Sequence, residues 1–293
     1  MKIYKNEKAK RKILETYNKL LTMWGVDVEE KNIDTKYGTT HVITCGDEDN
    51  PPLVLFHGVG DDSALMWIYN AKELSKHFRI YAVDTMGGPG KSCPNENYNK
   101  SFDEILWIDE VFIKLNIEKA YVAGVSNGSY MTHHYGIMRP KKVIRMVCMA
   151  GSVSTVGSPH PIKRMMKVFL PEALFPTQKN MIRLIKKLSG EHSEVFTDND
   201  DIMEHYLNLL KGFNNMAMSK HRIDSFNDDQ ISRLSGKCLF LIGEADPLGD
   251  LEKVREKLEK HKLEYQFFKG VGHGINHEIS ETINKRIIEY FVQ

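Results

Sequence analysis

The sequence has no long apolar run and no excess of either charge. No window approaches the roughly 18 uninterrupted apolar residues that a membrane-spanning helix needs. Residues 1–12 are dense in lysine and lack the apolar stretch of a signal peptide, so we expect no export and a cytoplasmic location. The formal net charge is only +1, so no strong field favours nucleic acid or an anionic membrane. None of these features indicates an oligomeric state.

The sequence also lacks closely spaced cysteines and recognisable metal motifs. Its four cysteines, at positions 45, 93, 148 and 238, form no Cys-x-x-Cys pair, which favours buried, reduced thiols over a disulfide framework. Residues 198–201 lack the glycine and glutamate of a calcium loop, and His277-Glu278 lacks the second histidine of a zinc motif. We therefore expect no metal and no cofactor, and we interpret residues 198–201 as a helix start.

What is present is an alternation of strand-like and helix-like segments near both ends of the chain, which is typical of an α/β protein with a mostly parallel sheet. A hairpin is expected around Gly38, and Ser101 with Glu104 predicts a capping box that opens a helix ending near Leu115. The other predicted strands are 53–56, 78–83, 120–125, 143–150, 238–242 and 265–268. The other predicted helices of this part are 64–77, 128–138, 250–261 and a closing helix ending at Val292.

The alternation stops between residues 152 and 235, where helical patterns at 162–169, 180–188 and 202–210 take over. We interpret this stretch as an inserted helical cap. The predicted domains are therefore a first core part over 1–151, the cap over 152–235 and a second core part over 236–293.

The segment Gly124-Val125-Ser126-Asn127-Gly128 fits the G-x-S-x-G nucleophile elbow and stands between a predicted strand and a predicted helix, as that motif requires. The glycines are needed because the turn is too sharp for side chains on its flanks. The alternative is an ordinary turn bracketed by glycines. The strand-turn-helix context favours Ser126 as a catalytic nucleophile.

A second loop, His57-Gly58-Val59-Gly60, follows the predicted strand 53–56 at the position where an oxyanion-hole loop is expected. Such a hole needs two backbone N–H groups directed at the developing negative oxygen, and we predict that Val59 and Asn127 supply them. His57 opens the loop, and we interpret it as a structural hydrogen-bonding residue.

A nucleophilic serine needs a base, and His273 is the best candidate because it follows the last predicted strand between two glycines. Two carboxylates, Glu244 and Asp246, follow strand 238–242 and compete to orient this histidine. Asp246 is favoured, because the next residue is Pro247, which holds Asp246 in an extended conformation.

These motifs together resemble the α/β-hydrolase superfamily over residues 31–292, and the stretches from Tyr37 to Gly58 and from Tyr81 to Asp84 are similar to bacterial carboxylesterases. The resemblance implies an α/β-hydrolase fold with an inserted helical cap. It also implies a Ser126, Asp246 and His273 triad that hydrolyses small carboxylic esters with an apolar part. Two alternatives stay open: the same triad acting on a C–C, lactone or amide bond, and a non-catalytic ligand receptor.

Overall fold

A mostly parallel sheet of nine strands forms the centre of residues 2–156 and 162–293, the parts of the chain that the computed structural model describes. The strands are β1 (Glu29–Thr35), β2 (Gly38–Cys45), β3 (Pro52–Phe56), β4 (Arg79–Val83), β5 (Cys93–Pro94), β6 (Ala120–Val125), β7 (Val143–Met149), β8 (Cys238–Gly243) and β9 (Glu264–Phe268). Their order across the sheet is β1-β2-β4-β3-β6-β7-β8-β9, and the short β5 pairs with β2.

In the spatial order β4-β3-β6-β7-β8-β9, all neighbouring strands are parallel. Strand β2 pairs antiparallel with β1, β4 and β5. Strand β3 lies between β4 and β6 and reads as a continuous apolar run because it is covered on both faces. The carboxyl ends of the parallel strands meet at one edge, which is where open α/β sheets bind their ligands. This topology confirms the expected α/β-hydrolase fold.

Helices lie on both faces of the sheet. They are α1 (Glu7–Leu21), α2 (Ser63–Met66), α3 (Ala71–Leu74), α4 (Glu104–Lys114), α5 (Asn127–Met138), α6 (Ile162–Ala173), α7 (Gln178–Leu188), α8 (Glu194–Thr197), α9 (Asp200–Gly212), α10 (Asp228–Ser232), α11 (Leu251–Lys260), α12 (Ile275–Glu278) and α13 (Ser280–Val292). The 3-10 helix Asn215–Met218 stands between α9 and α10. Within the two described ranges, none of the helices combines the length and the apolar character that a membrane-spanning segment requires.

The helices α6 to α10 all fall between β7 and β8, in the stretch where the sequence pattern changes. The predicted helix start at residues 198–201 is confirmed: Asn199 caps α9, and its side chain accepts hydrogen bonds from the N–H groups of Asp201 and Ile202. Helix α1 packs against α9 and was not predicted from the sequence. Its residues Ile13, Tyr17 and Leu20 recur at helical spacing and are buried, and this pattern was a signal for it.

The prediction of one helix over residues 64–77 is wrong. The segment forms two short helices, α2 and α3, separated by a turn that ends at Asn70. The Asn70 amide is buried and donates to the carbonyl of Asn276 at 3.0 Å and to Oδ1 of Asn284 at 2.7 Å. A buried amide must find partners, and contacts with residues more than 200 positions away accompany the break in the helix.

The predicted capping box is also wrong. Asp103 caps α4 by accepting the N–H of Leu106, while the Ser101 hydroxyl donates to Asn99. The Glu104 carboxylate bonds His134 and His221 instead of its own helix start. Long-range partners therefore take the side chain that the local pattern assigned to the cap.

Among the four free cysteines, Cys45, Cys148 and Cys238 are buried as expected, but Cys93 is exposed. It lies in β5, a two-residue strand that pairs with β2. A strand this short at the margin of the sheet leaves its side chains open to solvent.

Asp84 follows β4 at the carboxyl edge and ties several segments to it. Its buried carboxylate accepts hydrogen bonds from Tyr17 Oη at 3.0 Å, from the N–H of Ser63 at 3.1 Å and from the N–H of Lys91 at 2.7 Å, and it lies 3.0 Å from His41 Nδ1. Burial opposes ionisation of Asp84, but the hydrogen bond and charge of His41 outweigh it and hold the pKa below its usual value. The ionised carboxylate thus anchors α1, α2 and the loop after β4 beside the ligand-binding edge.

Candidate active site

Ser126 stands at the sharp turn between β6 and α5, as the G-x-S-x-G motif predicts. Its φ of 57° and ψ of −115° lie in a region that non-glycine residues rarely adopt. A Cβ at Gly124 would overlap the Gly128 carbonyl, and a Cβ at Gly128 would overlap the Phe56 carbonyl. Both glycines are therefore required sterically, and the strained turn presents Ser126 at the carboxyl edge of the sheet.

The loop after β3 lies directly against this turn. A Cβ on Gly58 would be 3.3 Å from the Ser126 Cβ, so the backbone of the loop and the serine are neighbours. His57 uses both ring nitrogens: Nδ1 donates to the Gly58 carbonyl and Nε2 accepts the N–H of Thr85, each at 2.8 Å. Burial lowers the pKa of His57, which keeps the ring neutral and matches this donor and acceptor pattern.

The amides of Val59 and Asn127 are the predicted oxyanion donors. Within residues 2–156 and 162–293, neither N–H group takes part in a hydrogen bond. Asn127 is the first residue of the 12-residue helix α5, so its N–H has no partner inside the helix, and the helix dipole adds positive potential there. Both amides are therefore available to bind a negative oxygen.

His273 and Asp246 come together at the same edge, after β9 and β8 respectively. Nδ1 of His273 lies 2.7 Å from Oδ2 of Asp246, and both side chains are largely buried. Burial lowers the pKa of His273, but the charge of Asp246 and its hydrogen bond outweigh this and raise the pKa above its ordinary value. Glu244, the competing carboxylate, is exposed to solvent.

The described residues include no hydrogen bond between Ser126 and His273. The two residues share the carboxyl edge of the sheet because each follows a parallel strand. Catalytic hydrogen bonds are often long or poorly aligned without substrate and tighten only in the complex.

A family model for the alpha/beta hydrolase fold matches residues 51–278 of this chain. The chain belongs to the α/β-hydrolase family. This α/β-hydrolase is 27% identical to an uncharacterised carboxylesterase, nap, of Bacillus subtilis (strain 168), covering 94% of this chain and 91% of the relative. It is 24% identical to carboxylesterase YbfK of the same organism, covering 94% and 92%. The crystal structure of naproxen esterase (carboxylesterase NP) from Bacillus subtilis superposes with a TM-score of 0.81, at 25% identity and over 96% and 97% of the two chains.

The histidine loop of the hydrolase is held by contacts that the sequence did not indicate. The N–H of His273 donates to the carbonyl of Leu188, the last residue of α7, at 2.7 Å. The Glu278 carboxylate accepts the N–H of Gly272 at 3.0 Å and the N–H of Gly190 at 2.8 Å. In the sequence, Glu278 stands out only as part of the incomplete zinc motif His277-Glu278. No sequence motif indicated that it would bond Gly190.

No group of three or more His, Cys, Asp or Glu side chains in the described part of the hydrolase is arranged to hold a metal ion. The chemistry available at the site is that of a strained serine, a histidine bonded to a carboxylate, and two amides without partners.

Proposed function

We propose that this α/β-hydrolase cleaves carboxylic esters with an apolar part through an acyl-enzyme on Ser126. His273 is the general base, Asp246 orients it, and the amides of Val59 and Asn127 form the oxyanion hole. The observation that carries the proposal is the 2.7 Å contact between Asp246 and His273 at the sheet edge where the strained Ser126 also stands.

In the proposed reaction His273 Nε2 takes the Ser126 proton while Oγ attacks the ester carbonyl carbon. The carbonyl oxygen becomes negative between the two amides, each of which typically contributes about 2.7–4 kcal/mol to stabilising that charge. His273 then gives the proton to the departing alcohol, and the same steps with water release the carboxylic acid. Asp246 holds Nδ1 protonated throughout and stabilises the imidazolium.

The relatives support an ester rather than another bond. Two relatives that align over more than nine tenths of this chain are named carboxylesterases, and a solved structure of similar fold is named naproxen esterase. We infer a small-molecule ester as the substrate, since these names describe enzymes that act on carboxylic esters.

We also propose that residues 152–235 act as a cap between two core parts, 1–151 and 236–293. The helices between β7 and β8 support this division, as does the direct contact of Leu188 with the histidine loop. A cap in this position selects substrates by shape, so Phe169→Ala should change the preferred acyl chain length.

A cytoplasmic location is part of the same proposal. The four cysteines are free, and the Cys238 thiol donates a hydrogen bond to Sγ of Cys148 at 3.6 Å and forms no disulfide with it. Free cysteines fit a reducing compartment, because disulfides are rare in cytosolic proteins.

The test combines labelling and turnover. A fluorophosphonate probe should label Ser126, and Ser126→Ala should abolish both labelling and hydrolysis of activated esters, whereas Ser129→Ala in the adjacent helix α5 should keep both. Labelling of the Ser126→Ala variant that maps to another residue would overturn the assignment. Turnover of an ester series of rising acyl length, beside amide and lactone analogues, separates an esterase from the alternative bonds, and no turnover at all would favour a receptor.

A further inference from the structure

Helix α6 and the two residues after it carry large apolar side chains that are exposed. Met166 is 52% exposed, Leu170 44%, Leu174 62% and Phe175 69%. The first three are spaced by four residues, which places them on one side of the segment. Val168 lies on the other face and is buried. Single exposed apolar residues are common on proteins, but a cluster of four is a feature of interaction surfaces.

The same region is strongly basic. Residues 162–188 contain seven basic side chains and one acidic side chain, a net charge of +6 in a chain whose total is +1. The acidic side chain is Glu172, and the basic ones are Lys163, Arg164, Lys167, Lys179, Arg183, Lys186 and Lys187. The total charge of the chain hides this concentration, because acidic residues elsewhere compensate for it.

Some of these basic side chains form ion pairs. Arg164 pairs with Asp250, and Lys187 pairs with Glu172 at 2.6 Å, which links α7 to α6. Lys167, Lys179 and Lys186 are exposed and have no ion-pair partner within the described ranges.

Helix α7 is amphipathic, as α6 is. Its residues Met181, Leu184 and Ile185 are buried, so its lysines are left on the outer side.

We propose that the cap surface, defined as Met166, Lys167, Leu170, Leu174, Phe175, Lys179 and Lys186, docks on an anionic lipid bilayer. Segments with a basic polar face and exposed apolar side chains lie in the bilayer interface, where the apolar groups enter the acyl boundary and the lysines meet anionic headgroups. A second copy of this chain is a poor occupant, because a symmetric contact would bring two +6 regions together. Nucleic acid would bind the lysines but leave the exposed apolar side chains without an apolar partner.

The position of the cap surface gives docking a consequence for the site. Helix α7 ends at Leu188, whose carbonyl accepts the N–H of His273, and the next turn is bonded to Glu278 through Gly190. Docking through α6 and α7 therefore brings the bilayer to the element that holds the histidine loop. The inference concerns binding and does not depend on the proposed reaction.

Binding is measured by co-sedimentation of the full chain with two kinds of vesicle. One kind is phosphatidylcholine alone, and in the other about one third of the lipid is phosphatidylserine. We expect binding to the anionic vesicles to exceed binding to the neutral ones by about tenfold or more, and to fall as salt rises. The triple variant Lys167→Glu, Lys179→Glu, Lys186→Glu and the double variant Leu174→Ser, Phe175→Ser should each weaken binding by about tenfold or more.

The matched control reverses three exposed lysines of α1, Lys8→Glu, Lys10→Glu and Lys12→Glu, with the same change in net charge. It should bind the anionic vesicles nearly as well as the wild type. An equal loss in this control would attribute binding to net charge and overturn the proposal. Three other results would also overturn it. They are no binding to vesicles, binding to DNA but not to vesicles, and a dimer in light scattering that the double variant Leu174→Ser, Phe175→Ser converts to a monomer. Circular dichroism of each variant checks that the fold is retained.

Discussion

The Asp246 carboxylate is held on both sides: Oδ2 lies 2.7 Å from His273 Nδ1, and Oδ1 accepts the N–H of Leu248 at 2.8 Å. The second bond fixes the direction in which the first one points. Glu244 is only two residues earlier but is exposed, and it engages the sheet through its backbone N–H, which donates to Phe268. The loop after β8 therefore gives the two carboxylates different environments.

This difference predicts opposite outcomes for two amide substitutions. Asp246→Asn keeps the shape but favours the wrong tautomer of His273, so kcat should fall by about 10⁴ if the loss resembles that of the corresponding serine-protease change. Glu244→Gln should lower kcat by less than about tenfold, because an exposed side chain has little influence on His273. Steady-state kinetics on one activated ester measures both, and a reversed order would move the acid to Glu244.

The pH profile gives an independent check on the base. His273 acts as a base only when neutral, and Asp246 raises its pKa against the opposing effect of burial, so kcat/KM should fall as the pH drops through a value above the usual 6.5 of histidine. Removing the negative charge in Asp246→Asn should shift this acidic limb to lower pH. Glu244→Gln is the control and should leave it in place. A profile that does not move in Asp246→Asn would argue against electrostatic coupling of the pair.

The elbow predicts a steric effect on stability. Gly128→Ala places a Cβ against the carbonyl of Phe56 in the central strand β3, which can shift only by disturbing the sheet. We expect a loss of about 1–3 kcal/mol or more in the free energy of unfolding, measured by urea denaturation. Gly249→Ala is the control, because a Cβ there meets only the Asp246 carbonyl at 4.0 Å. A stable Gly128→Ala protein would show that the turn is less tightly packed than the structure indicates.

Glu104 predicts sensitivity to acid. Its buried carboxylate lies 3.1 Å from His134 Nδ1 and 2.7 Å from His221 Nδ1. Burial raises the pKa of Glu104, but the two histidines outweigh it and lower the pKa to about 2. Because the folded-state pKa lies below the unfolded value of about 4.3, the stabilisation is complete above that value and is lost as the pH falls towards about 2.

The corresponding variant is Glu104→Gln. It should lower the free energy of unfolding by on the order of 2 kcal/mol near neutral pH and by much less near pH 2 to 3. Urea denaturation of both proteins across this range measures the difference. A gap that stays constant with pH would mean that the carboxylate contributes through packing alone.

The sequence could predict those parts of the fold that depend on residues close together along the chain. The runs that form β3, β6 and β8 are continuous and apolar because both faces of a central strand are buried, and their bounds were predicted to within about a residue. The break at Asn70 and the true cap of α4 were missed, because partners from distant segments compete with the local pattern. Tertiary contacts of this kind override helix propensity.

The sequence by itself determined the elbow at Ser126, since the overlap at Gly124 and Gly128 arises from the turn and the adjacent strand and is visible as a G-x-S-x-G spacing. It also ordered the serine, the acid and the histidine along the chain. The sequence favoured Asp246 over Glu244 through Pro247, but only the tertiary structure brings Asp246 into contact with His273 and shows that Leu188 and Glu278 hold the histidine loop. The physical reason is that a hydrogen bond such as that from His273 to Leu188 spans 85 positions, and no local spacing encodes which distant backbone group a loop will reach.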